Sequence, residues 1–411
     1  MTTDNAIAFA TTVDSELIPP LDGVRVLDFS RYVSGPYAGM LLADAGAEVI
    51  KVEPEGGEVS RSLPPIMQDG AGNDHSTYFL RLNRGKKSVV LDPRSAEHRP
   101  ALERLIASAD VVLENFRPGA FEAWGLGWEE LQRINPRLTY ATITGFGHSP
   151  SRSRDWPAFN LVAEAMAGVV GRFPEGDQPA KAAGLPFGDS MASLHAVNGI
   201  VMSLLRRATT GRGSRVDIAM YDSMLSANEW SIACQSGAGI EVELGATVHP
   251  WFAPYGFFEA RDGWLCICVA TDGAWKQFCA VAGLDQLWSD MRLRTGTGRA
   301  EHFHEVIASP MSAWLAATPA RTAATLLADA GVPAAPLQRP PDLVDDEQGR
   351  TREMLTDHPV GDGGSITLAG NPVRIEPRLA PHAQGFSTPG QHTDEILGEL
   401  FPEHAISLPS H

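Results

Sequence analysis

Asp189 is a lone acid at the point where a glycine-rich loop passes into a predicted helix. The stretch GLPFGDSMASLHAVNGIVMSLL, residues 184–205, begins with turn residues and continues with apolar residues at helical spacing. A carboxylate there would cap the helix by accepting bonds from its first N–H groups, which also favour the ionised form. Gly184 and Gly188 leave the approach uncrowded. Asp189 is therefore predicted to be a helix cap or a covalent nucleophile.

A basic cluster, RLNRGKKS at residues 81–88, stands out in an acidic chain. It has two interpretations: a solvated turn, or a clamp for phosphate groups that Gly85 lets the backbone approach closely. The cations are Arg81, Arg84, Lys86 and Lys87.

A second candidate loop, ENFRPG at residues 114–119, follows the apolar strand DVVL. Asn115 offers an amide, Phe116 a flat apolar face and Arg117 a cation. These three groups suit a ligand that has a base and phosphates, and ligands of α/β proteins bind at the carboxyl ends of strands. A turn that ends at Pro-Gly is the alternative interpretation.

Composition and missing motifs disfavour several classes of protein. The net charge of −17 argues against nucleic-acid and membrane-surface partners, and no apolar run is long enough to span a membrane. The chain lacks the G-x-G-x-x-G, P-loop and G-x-S-x-G signatures. Its four cysteines lack zinc spacing, so no metal site is expected. An acidic N-terminal stretch without Lys or Arg and the reduced cysteines predict a cytoplasmic protein.

Strands alternate with helices along the first 146 residues, which predicts an α/β fold with a parallel sheet. Ser34 is the expected N-cap of the first helix. Residues 55–76 are predicted to form a long loop, because they are rich in Gly, Pro, Asp and Ser. The predicted strands span 23–29, 47–54, 87–92, 110–115 and 137–146, and the intervening helices include 96–109 and 128–135.

The character of the sequence changes after residue 225. A hairpin that turns at Asp262-Gly263 and two or three further helices predict a small α+β domain. The predicted division is a large Rossmann-like domain at 20–220, the small domain at 225–330, and a segment at 335–411 that returns to the large domain.

Taken together and in order, these stretches resemble the class III CoA-transferases, the CaiB/BaiF family of formyl-CoA transferase and carnitine CoA-transferase. The resemblance covers nearly the whole chain from about residue 20. It rests on PLDGVRVLDFSRYVSGPYAGMLLADAGAEVIKVEP, NRGKKSVVLD, ENFRPGA, ITGFG, GDSMASLHAVNGIV, GRGSRVDIAM, DGW and PGQHTDEIL.

The resemblance implies that Asp189 is the nucleophile, so that it is both cap and catalyst. It implies transfer of CoA from an acyl-CoA to a free carboxylic acid through a mixed anhydride and an aspartyl-CoA thioester. CoA is then a substrate, and no permanently bound cofactor is expected. The implied assembly is an interlocked homodimer. The residues implied to contact CoA are Val33, Ser34, Asn83, Arg84, Lys86, Asn115, Phe116 and Arg117.

Departures from the family argue against formate and oxalate as substrates, though not against the reaction type. Val33 replaces a glutamine of formyl-CoA transferase, Asn160 replaces a frequent acid, and SGAG at 236–239 is the nearest match to a glycine-rich lid. The alternative is an α-methylacyl-CoA racemase, which pairs the Asp with a His. The matching stretch here is PAFN, and His148 lies about ten residues too early. Because racemisation needs two bases, transfer is the favoured prediction.

Overall fold

The computed structural model describes residues 18–170, 184–242, 249, 251–375 and 385–401. Within these ranges the strands are β1 Arg25–Asp28, β2 Glu48–Glu53, β3 Ile66–Gln68, β4 Asp74–Ser76, β5 Lys87–Val90, β6 Val111–Glu114, β7 Thr139–Thr144, β8 Arg215–Ala219, β9 Tyr255–Ala260, β10 Gly263–Cys268, β11 Ala334–Pro336, β12 Leu355–Val360 and β13 Gly364–Ala369.

The helices follow the same order. They are α1 Ser34–Asp44, α2 Thr77–Asn83, α3 Arg99–Ser108, α4 Ala120–Ala123, α5 Trp128–Ile134, α6 Asn160–Met166, α7 Phe187–Thr210, α8 Met220–Ala227, α9 Glu229–Ala238, α10 Asp272–Ala282, α11 Asp285–Ser289, α12 Gly296–Glu301, α13 Ala308–Ala317, α14 Ala320–Asp329, α15 Pro340–Leu343, α16 Glu347–Thr351 and α17 Thr393–Leu400. Short 3₁₀ turns occupy Val59–Ser62 and Met291–Leu293, and a π-helical turn occupies Phe303–Ile307.

The predicted alternation builds one parallel sheet of six strands in the order β5-β2-β1-β6-β7-β8. Val26 on β1 pairs with Val49 of β2 on one side and Val111 of β6 on the other. These strands are near-continuous apolar runs because helices cover both faces of the sheet. The mixed α/β class with a parallel sheet is confirmed.

Helices pack on the two faces of this sheet as separate layers. On one face α1 and α7 contribute Leu42, Ala196 and Ile200 to a buried cluster with Val26 and Val111. On the other face α3, α5 and α17 contribute buried leucine and isoleucine side chains against Leu27, Ile50 and Val112. Alternate residues of each strand thus enter opposite cores, as the pleat requires.

The strand order creates a crevice between β1 and β6. The chain leaves β1 toward β2 on one side of the sheet, and it leaves β6 toward β7 on the other side. The two connections therefore diverge and leave a gap at the carboxyl ends of these strands, where doubly wound sheets bind ligands. The loops 29–33 and 115–119 begin at this gap.

Three local predictions were wrong. Residues 55–76 contain a 3₁₀ turn and the β3–β4 hairpin, because antiparallel backbone pairing orders the expected loop. Val33, not Ser34, is the N-cap of α1, and Ser34 is its first helical residue. The β9–β10 hairpin turns at Arg261-Asp262, since Gly263 already pairs with Ala260.

The chain divides into two compact units. The first comprises the described residues up to 170, those of 184–240 and those from 347 onward; the second comprises the described residues of 241–346. The second unit has an antiparallel sheet of three strands, β11-β10-β9, and its own core around Trp275 and Phe278. Five α-helices, α10–α14, lie where two or three were predicted, because short helices end and restart around Gly283 and Thr295.

The C-terminal helix α17 belongs to the first unit, where it contacts α3 and β5. None of the helices in the described ranges has both the length and the apolarity to cross a bilayer.

Candidate functional site

A cavity of about 790 Å³ opens at the crevice between β1 and β6, and we call it the switch-point cavity. Its volume lies in the range of small-molecule and cofactor sites. All of its walls come from the first unit: the loops after β1, β6 and β7, together with α2, α6 and the start of α7. Five of the predicted CoA contacts and the predicted nucleophile line it: Val33, Ser34, Asn115, Phe116, Arg117 and Asp189.

Asp189 lies in the first turn of α7, but it is not the N-cap, which is Pro186. Its carboxylate instead accepts hydrogen bonds from the backbone N–H and the hydroxyl of Ser34. Because Ser34 is the first residue of α1, Asp189 caps the neighbouring helix rather than its own. The predicted capping role is therefore corrected: the carboxylate is held between the N-termini of two helices.

A hydrogen-bond network fixes this junction. The amide of Asn115 donates to the Ser34 hydroxyl oxygen at 3.1 Å and to the Arg31 carbonyl at 2.7 Å. The Ser193 hydroxyl lies 2.6 Å from the Ser34 carbonyl oxygen and 2.7 Å from that of Asp189. The loop after β6, the start of α1 and the start of α7 are thereby joined around one carboxylate.

Burial raises the pKa of Asp189 to about 6. The bonds from Ser34 and the charge of Arg81 oppose this rise, whereas the charge of Glu164 adds to it. The helix start was expected to keep this pKa low, but removal of water from the carboxylate outweighs the dipole and the N–H bonds. At neutral pH the group remains mostly ionised, with the higher basicity that suits a nucleophile.

Glu164 is a second acid in the cavity wall, and it was not predicted from the sequence. It is buried on α6, where one carboxylate oxygen accepts from the Asn160 amide and from the Gly188 N–H, each at 3.0 Å. A Cβ on Gly188 would lie 3.0 Å from the Asn160 carbonyl oxygen, so the close approach of the two segments favours glycine. The available signal was an acid within an otherwise apolar helix, LVAEAMAG.

Three arginines line the cavity: Arg117 was a predicted CoA contact, Arg81 was named only as a member of the basic cluster, and Arg31 was not singled out from the sequence. Arg31 and Arg117 are exposed, whereas Arg81 is half-buried. The guanidinium of Arg31 stands 4.5 Å from the ring centre of Phe116, and that of Arg81 stands 4.5 Å from Tyr78. Among the residues that the structure describes, no salt bridge involves these three arginines. Their charges are available to an anion.

The other predicted CoA contacts, Asn83, Arg84 and Lys86, are buried and do not line the cavity. The Arg84 guanidinium is 2.6 Å from Asp44, and the Lys86 ammonium is 2.8 Å from Asp28 and 2.9 Å from the Asn83 side-chain oxygen. This pairing disfavours the phosphate-clamp interpretation of Arg84 and Lys86, because acids contributed by α1 and β1 already bind both cations.

The match to known proteins extends over almost the whole chain. A family model described as CoA-transferase family III matches residues 21–393. The chain belongs to CoA-transferase family III.

Individual family III members agree with this assignment over similar lengths. The succinyl-CoA:mesaconate CoA-transferase of Haloarcula hispanica is 36% identical over 383 residues, which cover 92% of this chain and 96% of the relative. The succinate–glutarate CoA-transferase of Agrobacterium fabrum is 31% identical, with coverage of 93% and 96%. The crystal structure of a CaiB/BaiF family protein from Brucella suis superimposes with a TM-score of 0.82 at 31% identity and covers 93% and 99% of the two chains.

One backbone feature of the site could not be predicted from the sequence. Tyr32 has a φ of +64°, a left-handed conformation that is uncommon for a residue with a Cβ. Its ring meets that of Phe159 edge-on at 6.0 Å, and the next residue caps α1. Such strain is concentrated at functional sites. Here it turns the chain into α1, whose first residue, Ser34, lies against Asp189.

Proposed function

We propose that this family III enzyme moves CoA from an acyl-CoA to a free carboxylic acid through covalent intermediates on Asp189. The observation that carries the proposal is the carboxylate of Asp189, which lines a ligand-sized cavity at the N-terminus of α1. It is partly desolvated, its pKa is raised to about 6, and cations stand in the same walls. A buried, ionised carboxylate is a competent nucleophile toward a thioester.

The chemistry balances without an oxidant or a metal. A carboxylate oxygen of Asp189 attacks the thioester carbonyl, the C–S bond breaks, and a mixed anhydride and CoA thiolate result. The thiolate then attacks the aspartyl carbonyl, which releases the donor acid as its carboxylate and leaves an aspartyl-CoA thioester. The acceptor carboxylate repeats both steps in reverse, and CoA leaves as a new thioester with Asp189 regenerated.

Ser34 supplies the hydrogen-bond donors that these steps need beside the aspartyl carbonyl carbon. Its N–H and hydroxyl already donate to the Asp189 carboxylate. When the thiolate attacks, negative charge builds on the remaining aspartyl oxygen, and the same donors stabilise it without reorganising. Asn115 holds the serine hydroxyl in place from the neighbouring loop.

CoA is a substrate in this proposal, and no resident cofactor takes part. We place it along Val33, Asn115, Phe116 and Arg117, which line the cavity, with the exposed Arg117 near the phosphates. Exposed cations are suited to a highly charged nucleotide that must enter and leave. The pattern of cysteines supports a cytoplasmic site of action.

The decisive experiment is replacement of Asp189. Asp189→Ala should abolish exchange between an acyl-CoA and a labelled carboxylic acid, and hydroxylamine should modify Asp189 in the wild-type enzyme that has been incubated with acyl-CoA. The control is Asp155→Ala, which changes an exposed acid outside the hydrogen-bond network of Asp189. Near-normal exchange by the Asp189 variant would reject the proposal.

A racemase is the second candidate because two acids, Asp189 and Glu164, line one cavity. Racemisation needs a base on each face of the α-carbon. His148 does not serve, since its ring binds Asp217 at 2.9 Å and does not line the cavity. Incubation of a 2-methylacyl-CoA in deuterated water without an acceptor acid decides the matter. A transferase incorporates no deuterium at the α-carbon, whereas rapid, Asp189-dependent incorporation identifies the racemase.

We also propose that the enzyme is a homodimer whose subunits interlock. The long helix α7 leaves Met202 and Leu205 each 67% exposed, and α9 has no buried residue along its length. Apolar helix faces of this size normally find a partner. Light scattering during size-exclusion chromatography should give twice the mass of the chain, and Met202→Lys with Leu205→Lys should weaken the dimer.

A further inference from the structure

Arg81 differs from its neighbours in the basic cluster. Arg84 and Lys86 bind buried acids, and Lys87 lies 3.0 Å from Glu48 at the surface. Within the described chain no carboxylate oxygen is placed within 4 Å of the Arg81 guanidinium, which lines the switch-point cavity. One positive charge of the cluster is therefore directed at the ligand.

The position of Arg81 puts that charge at the reacting end of the cavity. It is half-buried on α2, and its field acts directly on the Asp189 carboxylate. Arg31 and Arg117 are exposed by comparison, and Arg31 lies over Phe116 in the loop after β6. Arg31 and Arg117 thus lie at the opening of the cavity, whereas Arg81 lies at the end near Asp189, which we call the acyl end.

The charges at the acyl end make an anionic ligand difficult to accommodate without Arg81. Asp189 and Glu164 both stand there as acids, and neither has a salt-bridge partner among the described residues. A neutral acyl chain would make no use of this cation beyond its effect on the Asp189 carboxylate. An acyl chain that ends in a second carboxylate would be repelled by both acids unless a cation received it.

The reacting carbonyl already has its own donors. The N–H and hydroxyl of Ser34 point at the aspartyl carboxylate, so stabilisation of charge at that carbon does not require Arg81. Stacking on Tyr78 holds the Arg81 guanidinium in one orientation, which suits bidentate binding of a planar carboxylate.

We propose that Arg81 binds the distal carboxylate of the acyl group, and that the enzyme acts on CoA esters of short dicarboxylic acids. This inference rests on the proposed covalent role of Asp189 and adds the class of substrate. Arg81 is a specificity-determining residue in this scheme, because it contacts the substrate away from the bond that breaks.

The test compares two four-carbon esters, succinyl-CoA and butyryl-CoA, in the donor half-reaction. No acceptor acid is added, and mass spectrometry measures the rate at which the CoA adduct forms on the full-length enzyme. Arg81→Met should lower kcat/KM for succinyl-CoA by about 100-fold, as expected for loss of a charge-assisted bidentate pair, and change that for butyryl-CoA less than threefold. Arg81→Lys should restore part of the loss.

Arg117→Met is the matched control, since it removes a cavity arginine at the exposed end and should affect both esters alike. For the Arg81 variants the butyryl-CoA rate also reports whether the protein is folded, and circular dichroism reports this for Arg117→Met. An equal loss for both esters, or no loss for succinyl-CoA, would overturn the role of Arg81. A wild-type adduct with butyryl-CoA and none with succinyl-CoA would reject the substrate class while leaving covalent catalysis intact. No adduct with any ester would reject the proposed function itself.

Discussion

Replacement of Asp189 by Asn should make the protein more stable at the same time as it abolishes transfer. The carboxyl of Asp189 changes from a pKa of 3.8 to about 6 because folding buries it beside Glu164. A carboxyl with a raised pKa favours the folded state only while it is protonated. Its ionisation therefore destabilises the folded enzyme by about 3 kcal/mol at pH 8. Asn removes that charge and keeps an oxygen that can accept from Ser34.

The sign of the effect gives a pH dependence that a simple packing change would lack. Below pH 3.8 both folded and unfolded states hold the proton, so Asp189 contributes no destabilisation there. The destabilisation develops between 3.8 and about 6 as the pH rises, and it is complete above that range. We expect Asp189→Asn to be more stable than the wild type by about 3 kcal/mol at pH 8 and by roughly half as much at pH 5.

Thermal unfolding followed by circular dichroism measures this difference directly. For a unit of this size, about 3 kcal/mol corresponds to a rise in Tm of roughly 5–10 °C at pH 8. Asp155→Asn is the control, because this exposed acid has no burial to relieve. An Asp189→Asn variant with a Tm equal to or below that of the wild type at pH 8 would refute the argument. So would a difference that does not change with pH.

Three further predictions concern Asp189, its neighbours and the basic cluster. The kcat/KM for transfer should fall about tenfold per pH unit below about 6, where Asp189 becomes protonated; a flat profile would contradict this. Glu164→Gln should shift this acid limb of the kcat/KM profile to lower pH, because it removes a like charge but keeps an acceptor for the Gly188 N–H. Ser34→Ala should shift the acid limb to higher pH, because it removes a hydroxyl that lowers the pKa of Asp189. Pre-steady-state rates measured across pH 4–9 would show both shifts. Arg84→Met should lower Tm, because it leaves Asp44 unpaired, without raising KM for acyl-CoA. A selective rise in KM for acyl-CoA would support the phosphate-clamp interpretation instead.

The candidate nucleophile Asp189 and five of the other cavity residues could be predicted from the sequence, because they follow from local patterns. Apolar runs that alternate with amphipathic helices predict a parallel sheet, and the loops at the carboxyl ends of its strands gather at one edge. Asn115, Phe116 and Arg117 directly follow β6, and Ser34 begins the helix after β1. Gly184 before α7 and Gly188 in its first turn likewise mark Asp189 without knowledge of its spatial neighbours.

The tertiary structure alone decided which charges are paired and which face the ligand. Arg84 finds its acid 40 residues away in the chain, and Lys86 finds one 58 residues away. A run of cations in sequence cannot show such partners, so Arg81 was not distinguished from them. The pKa of Asp189 also depends on burial and on Glu164, which α6 brings beside it. Local periodicity therefore determined the sheet and the position of Asp189, whereas packing between distant segments determined the electrostatics of the site.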